Sequence, residues 1–338
     1  MDVYRPNTAE QDCGAGIDPR LQPTPDYYSA GLGAGSARRK VASRGLHLAA
    51  MIAGIGLAVA VSSSGGMATV WGKFSRPLAM QKNVEMVSGV PSDTELDGQK
   101  PQRQAEILLE RAVGRSQGAT NQIEARVDGW RGKLEWDAQL GELTTAALNS
   151  RDREVRDSAV EVQLAAYGLS KSGGMVDALV RQASSADHAK KIWALWSLGL
   201  LANRGVETDR VIEVLSAHLK DDQRVDRAAE DSRRWAVEGL ALVGTSSTIA
   251  PLLEAMRDDP SAAVRERAAC SLAESGMFTH EQRMIAVPQL IKFSGDAGLD
   301  EQTRGWAFQA LGGITGERLP NDSGAWWSWY RKTVGSGQ

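Results

Sequence analysis

Five basic residues recur in one sequence frame and are the first candidates for chemistry in this chain: Arg156, Lys191, Arg233, Arg265 and Arg304. Cationic side chains repeated along an array can hold an anion or bridge to carboxylates. An Asp shortly precedes each of them: Asp152, Asp187, Asp231, Asp259 and Asp300. The pairs recur with the frame and do not converge on one place. They therefore predict a structural ladder of charge bridging adjacent repeats, with Asp231 and Asp259 among its acidic members.

The other candidates are weaker. Asp221, Asp222, Asp226, Glu230 and Asp231 offer oxygen ligands, but a calcium loop needs tight spacing and a turn Gly. Arg224 and Arg227 interrupt the run, which reads as a solvated loop. His280-Glu281 lacks the second His of a zinc helix, and no nucleophile elbow or Walker loop occurs. Gly31-Leu32-Gly33-Ala34-Gly35 follows no strand. Cys13 and Cys270 have no metal or redox spacing, and their separation excludes a disulfide framework. No metal or cofactor is expected, and no nucleophile, metal set or acid/base pair marks an enzyme. Charge is nearly balanced, 39 basic against 42 acidic residues, so nothing calls for nucleic acid.

The elements that carry the basic residues are legible. Three positions after each stands Ala: Ala159, Ala194, Ala236, Ala268 and Ala307. Seven positions after, Leu198, Leu240, Leu272 and Leu311 recur, with Gln163 as the exception. These offsets share one helical stripe. The copies are 35, 42, 32 and 39 residues apart, the period of a solenoid of helix pairs. A second apolar helix is predicted in each copy, over roughly 175–183, 209–219, 248–256 and 281–293. Upstream, 139–148 reads as a second helix, 121–133 as its partner and 102–113 as a cap. Gly244 and Gly276 end first helices.

Trp193, Trp196, Trp235 and Trp306 fall within first helices and read as packing. Near the C-terminus, Trp326, Trp329 and Tyr330 share one helical face, with Trp327 off it, and Asn321 or Asp322 can cap that helix. The aromatic group reads as the hydrophobic plug that a terminal repeat needs.

The copies SAAVRERAACSLAESG and DSRRWAVEGLALVG resemble the HEAT-like repeat family, including the repeats named for phycobilisome lyases. RVDGWRGKLE and ITGERLPNDSGAWWSWY are similar to segments of bacterial HEAT-repeat proteins. The resemblance implies an all-α, right-handed α-solenoid over 105–331. Gln163 and Lys191 depart from the frame in the first two copies.

The first third differs. Residues 1–44 are rich in Pro, Gly, Asp and Ser and end in Arg38, Arg39, Lys40 and Arg44, which predicts a disordered, basic-ended tail. From Leu46 to Trp71 no Asp, Glu, Lys or Arg occurs, a length that fits one membrane crossing, and Trp71 suits the interface. The prediction is a single transmembrane helix over 45–71, favoured over a cleaved signal peptide or a buried helix. A polar linker over 72–104 follows, and 332–338 is a second disordered tail. The positive charges favour a cytoplasmic N-terminus and place the array on the periplasmic side of a bacterial inner membrane.

The functional expectation is a membrane-anchored scaffold that binds protein through a concave face made by the second helices. Its contact residues are Arg181, Glu213, Lys220, Glu254, Arg257, Gln289 and Lys292, whose mixed signs suit a protein partner. The alternative is a lyase-type or ligand-handling enzyme, which would need a pocket with convergent polar groups.

Overall fold

The computed structural model describes residues 92–221 and 226–333. The tail, the apolar segment 45–71 and most of the linker lie outside the described residues. Among the described residues there is no strand, and no helix is long and apolar enough to cross a membrane. Helices begin inside the stretch read as linker. A one-turn helix, α1 (Asp93–Asp97), starts at a Ser92–Glu95 capping box, and α2 (Pro101–Val113) starts at a proline.

The array then alternates. First helices are α3 (Ala119–Trp130), α5 (Arg153–Ala166), α7 (His188–Asn203), α9 (Arg227–Val243), α11 (Ala262–Cys270) and α14 (Glu301–Thr315). Second helices are α4 (Ala138–Leu148), α6 (Gly173–Ala183), α8 (Thr208–Asp221), α10 (Ile249–Asp258) and the broken pair α12 (His280–Met284) and α13 (Val287–Ser294). The first helices stack in series, and each second helix packs on the first helix that follows it. The terminal helix α15 (Ser323–Thr333) lies on α13.

Local chemistry explains these boundaries. Asp137, Asp152, Asp187, Asp226 and Asp300 are N-caps whose carboxylates accept backbone N–H groups at the start of α4, α5, α7, α9 and α14. Each such cap contributes about 1 kcal/mol. Gly244 ends α9 at a φ of 64°, a left-handed conformation that glycine adopts without strain. The second helix expected over 281–293 is two pieces. Pro288 cannot donate the helical hydrogen bond, so the chain restarts at Val287. A Thr279–Gln282 capping box opens the first piece.

The frame residues are the core. Ala159, Ala194, Ala236, Ala268 and Ala307 are buried, as are Leu198, Leu240, Leu272 and Leu311. Each buried Leu stabilises the fold by about 1.5–3 kcal/mol. Gln163 occupies the Leu position in α5 and is fully buried.

The tightest contact is between α7 and α9. A β-carbon on Gly199 would lie 2.6 Å from the Gly239 carbonyl oxygen, and one on Gly239 would lie 2.8 Å from that of Leu195. The two backbones touch where neither helix carries a side chain. Asn203 adds a bridge, its side-chain N–H donating to the Leu242 carbonyl at 2.9 Å. Aromatic rings run along the array from Trp136 to Tyr167 (5.1 Å), Tyr167 to Trp193 (6.3 Å) and Trp196 to Trp235 (5.7 Å). Trp193, Trp196 and Trp306 are buried.

After Cys270 the helix widens into a π turn, Ser271–Ser275. Its carbonyls are collected by one guanidinium: Arg283 donates to the Ser271, Leu272, Glu274 and Gly276 carbonyls at 2.6–3.3 Å. A helix end leaves such acceptors without intrahelical partners. Cys270 is disulfide-bonded, which corrects the exclusion of a disulfide.

At the C-terminal end, Asp322 caps α15 by accepting from the Ala325 N–H. Trp326 is buried and packs edge-on against Trp329 at 5.9 Å. Tyr330 pairs edge-on with Trp327 at 5.8 Å, which brings Trp327 into the aromatic group as well.

Candidate functional site

The ladder is built from two of the five repeats. Arg233 is fully buried, and its Nε and Nη2 donate to Asp259 Oδ2 and Oδ1 at 2.8 and 3.2 Å. Asp259 Oδ1 also accepts from the Ser261 N–H at 2.8 Å. Arg265 repeats the arrangement one step on. It donates to Thr303 Oγ1 at 3.0 Å, to Asp300 Oδ2 at 3.3 Å and to the Asp259 carbonyl at 2.8 Å. Thr303 donates to Asp300 through its N–H and hydroxyl, which hold that carboxyl below its usual range. One Asp thus fixes the start of its own helix and the Arg of the preceding repeat.

The remaining members differ from the expected ladder. Arg304 donates instead to the Leu299 and Asp296 carbonyls. Asp231 is one turn inside α9 and meets His188 Nε2 of α7 at 3.6 Å, so it bridges repeats without pairing with a frame cation. Asp187 caps α7 and meets Lys190 at 3.7 Å. Neither Arg156 nor Lys191 forms an ion pair among the described residues. Other pairs do this work. Glu161 of α5 accepts from Lys171 at 3.1 Å and from Arg204 Nε at 2.7 Å. Arg267 of α11 donates to Glu238 of α9 at 2.7 Å. Neither pair follows the frame, so spacing alone did not reveal them.

The second-helix residues are distributed as follows. Arg181 lies on α6, Glu213 and Lys220 on α8, Glu254 and Arg257 on α10, and Gln289 and Lys292 on α13. All are exposed except Gln289, which is half-buried. The structure brings two of them together. Lys220 Nζ meets Glu254 Oε2 at 3.0 Å, spanning α8 and α10. Beneath them is a groove of about 340 Å³, with Leu219, Pro251 and Ala255 as its apolar floor and Ser216 and Asp258 at its rim. Asp258 also accepts two hydrogen bonds from Arg257, at 2.5 and 2.7 Å, which raise the guanidinium further above its ordinary value. Arg181, Glu213, Gln289 and Lys292 do not line that groove.

A second hollow is not on the second-helix face. A cavity of about 780 Å³ lies between the start of α5 and the segment from the π turn to α12, closed by the end of α14. Frame positions contribute to it only through Arg156. Among the described residues, no group of three or more His, Cys, Asp or Glu side chains is placed to hold a metal ion.

Residues 226–312 match the family described as HEAT repeats. No curated protein matches the chain. Among solved structures, an engineered protein is 20% identical, over 64% of this chain and 90% of its own, with a TM-score of 0.30. A designed armadillo repeat protein in complex with the peptide (KR)4 is 17% identical, over 63% and 99%, with a TM-score of 0.29. Another designed armadillo repeat protein is 18% identical, over 67% and 96%, with a TM-score of 0.28. Scores this low add nothing to the fold, which rests on the helix pairing itself. The matched segment contains α9 to α13 and most of α14, where the frame and the Arg–Asp ties coincide, and over this segment the chain is similar to the HEAT repeats.

Proposed function

We propose that the protein is a membrane-tethered scaffold that binds another protein through the face formed by its second helices. The observation that carries this reading is the groove between α8 and α10, where an apolar floor is rimmed by Lys220, Glu254 and Asp258. Apolar centres with polar rims of both signs suit protein recognition, whereas a phosphate backbone would call for one sign. Arg181, Glu213, Arg257, Gln289 and Lys292 extend the face on either side. The uncharged segment 46–71 serves as the tether, with the N-terminus in the cytoplasm and the repeats in the periplasm.

Reversing two charges tests the docking face. Glu254→Lys with Arg257→Glu should weaken capture of partners crosslinked in native membranes about tenfold or more, with no change in thermal unfolding. Unchanged capture of every partner rejects this face. Orientation has its own readout. Protease added to cells whose outer barrier has been opened should digest the repeats and leave a fragment extending to about Trp71. Full protection of the repeats would place them in the cytoplasm.

A further inference from the structure

The 780 Å³ cavity has an imbalance of charge that the fold does not resolve. Arg151, Arg153, Arg156, Arg283 and His280 line it, against one carboxylate, Glu274. Glu274 is exposed and lies beside Gly313 on the opposite wall, where a β-carbon would be 3.5 Å from its Oε1. Two of the cations are partly or wholly withdrawn from water and form no ion pair among the described residues, although Asp157 and Asp152 act on Arg156, and Glu274 on Arg283, through space. Arg283 is buried, both of its Nη atoms donate to neutral carbonyls, and its guanidinium lies over the Phe278 ring at 5.7 Å. Arg156 is half-buried, and its Nε is sealed from solvent with no acceptor.

The carboxylates closest to Arg156 in sequence are committed elsewhere. Asp152 caps α5, and Asp157 meets Arg153 at 3.7 Å and Arg204 at 3.8 Å. Burial lowers the pKa of Arg156, and burial together with the Arg156 charge pushes Arg283 down to about 10. Uncompensated buried charge is costly, and an anion placed between such groups removes the cost. A structural ladder does not account for Arg156, since Lys191 and Arg304 hold the same frame position outside this cavity.

We propose that this cavity is a binding site for a small organic oxyanion bearing phosphate or carboxylate groups, clamped by Arg151, Arg153 and Arg156. Arg283 acts through its field, because its donors are already engaged. Phe278, Ile314 and Leu148 form an apolar wall for the carbon skeleton of the ligand. The volume falls within the range of about 300–1,000 Å³ typical of small-molecule sites. The site is independent of the docking face, so either reading can fail alone.

The test uses the full-length protein in detergent at constant ionic strength, titrated with inorganic pyrophosphate and, separately, with citrate. At least one should raise Tm saturably, and the tighter of the two identifies phosphate or carboxylate as the preferred group. Arg156→Gln and, independently, Arg151→Gln should each weaken that affinity about tenfold, the value of one charged hydrogen bond. Without ligand, Arg156→Gln should unfold at the same temperature as the parent or higher, because it removes a half-buried charge that forms no ion pair among the described residues. No saturable shift with either anion, or an equal shift in both variants, overturns the proposal. A lowered Tm of Arg156→Gln without ligand also does so, since it makes Arg156 structural.

Discussion

Asp259→Ala should destabilise the protein by about 3–5 kcal/mol, because it leaves Arg233 charged and fully buried with its bidentate partner gone. The same change removes the acceptor for the Ser261 N–H at the start of α11. Asp259→Asn should fall between, since its amide oxygen keeps one acceptor while the charge is lost. Replacing both partners with apolar side chains, Arg233→Met with Asp259→Leu, should recover much of the loss. Breaking a buried pair leaves an uncompensated ion, whereas removing it whole does not. The denaturant midpoint, read at constant slope, measures all three. A loss below about 1 kcal/mol for Asp259→Ala, the scale of an exposed pair, would show that the tie does not hold these repeats together.

The second large effect is at the crossing of α7 and α9. Gly239→Val should lower stability by about 3 kcal/mol or more, and Gly199→Ala by about 1–3 kcal/mol, because the added carbons have no space. In Gly199→Ala the new β-carbon would sit 2.6 Å from a backbone oxygen, which can move only if the helices separate. The sign is the informative part. Ala is favoured over Gly within an exposed helix by about 1 kcal/mol, so a loss on Gly→Ala reports packing and not propensity. Gly305 in α14 is the control, since a β-carbon there meets nothing within 4 Å. Gly305→Ala should raise the unfolding midpoint while Gly199→Ala lowers it. Equal signs would remove the case for backbone contact.

These two sites differ in how far the sequence announced them. The frame of basic residue, Ala and Leu placed five first helices correctly, because buried positions at helical spacing leave a periodic trace. The second helices followed within a few residues. The break in the last of them carried a local signal that the periodicity overrode, namely Pro288 together with a Thr279–Gln282 capping box. The ladder was legible as a pattern but not as a set of partners. Arg233 and Arg265 do reach the Asp of the following repeat, whereas the Asp residues that follow Arg156 and Lys191 meet Lys190 and His188 instead. Asp231 lies within a helix and meets His188, which no spacing rule connects to it.

The glycine crossing does leave a trace in the sequence, because Gly in the middle of an apolar helix is costly unless something presses against it. The cavity had none. It joins the start of α5 to a π turn and the end of α14, elements more than a hundred residues apart. Pattern along the chain does not encode such closure. The concavity expected from the second helices is represented by the smaller groove between α8 and α10, and the residues expected on that face contribute two of its lining groups.

The double duty of Asp259 and Asp300 gives the array a polarity. Each Arg reaches forward to an Asp that its successor supplies, while each Asp keeps its bond from a backbone N–H at the start of its own helix whether or not a predecessor exists. Removing the repeat that supplies Asp259 or Asp300 therefore strands Arg233 or loosens Arg265, whereas removing the repeat that supplies either Arg strands no cation. The last repeat escapes the problem because Arg304 turns back onto the Leu299 and Asp296 carbonyls and closes the series on itself.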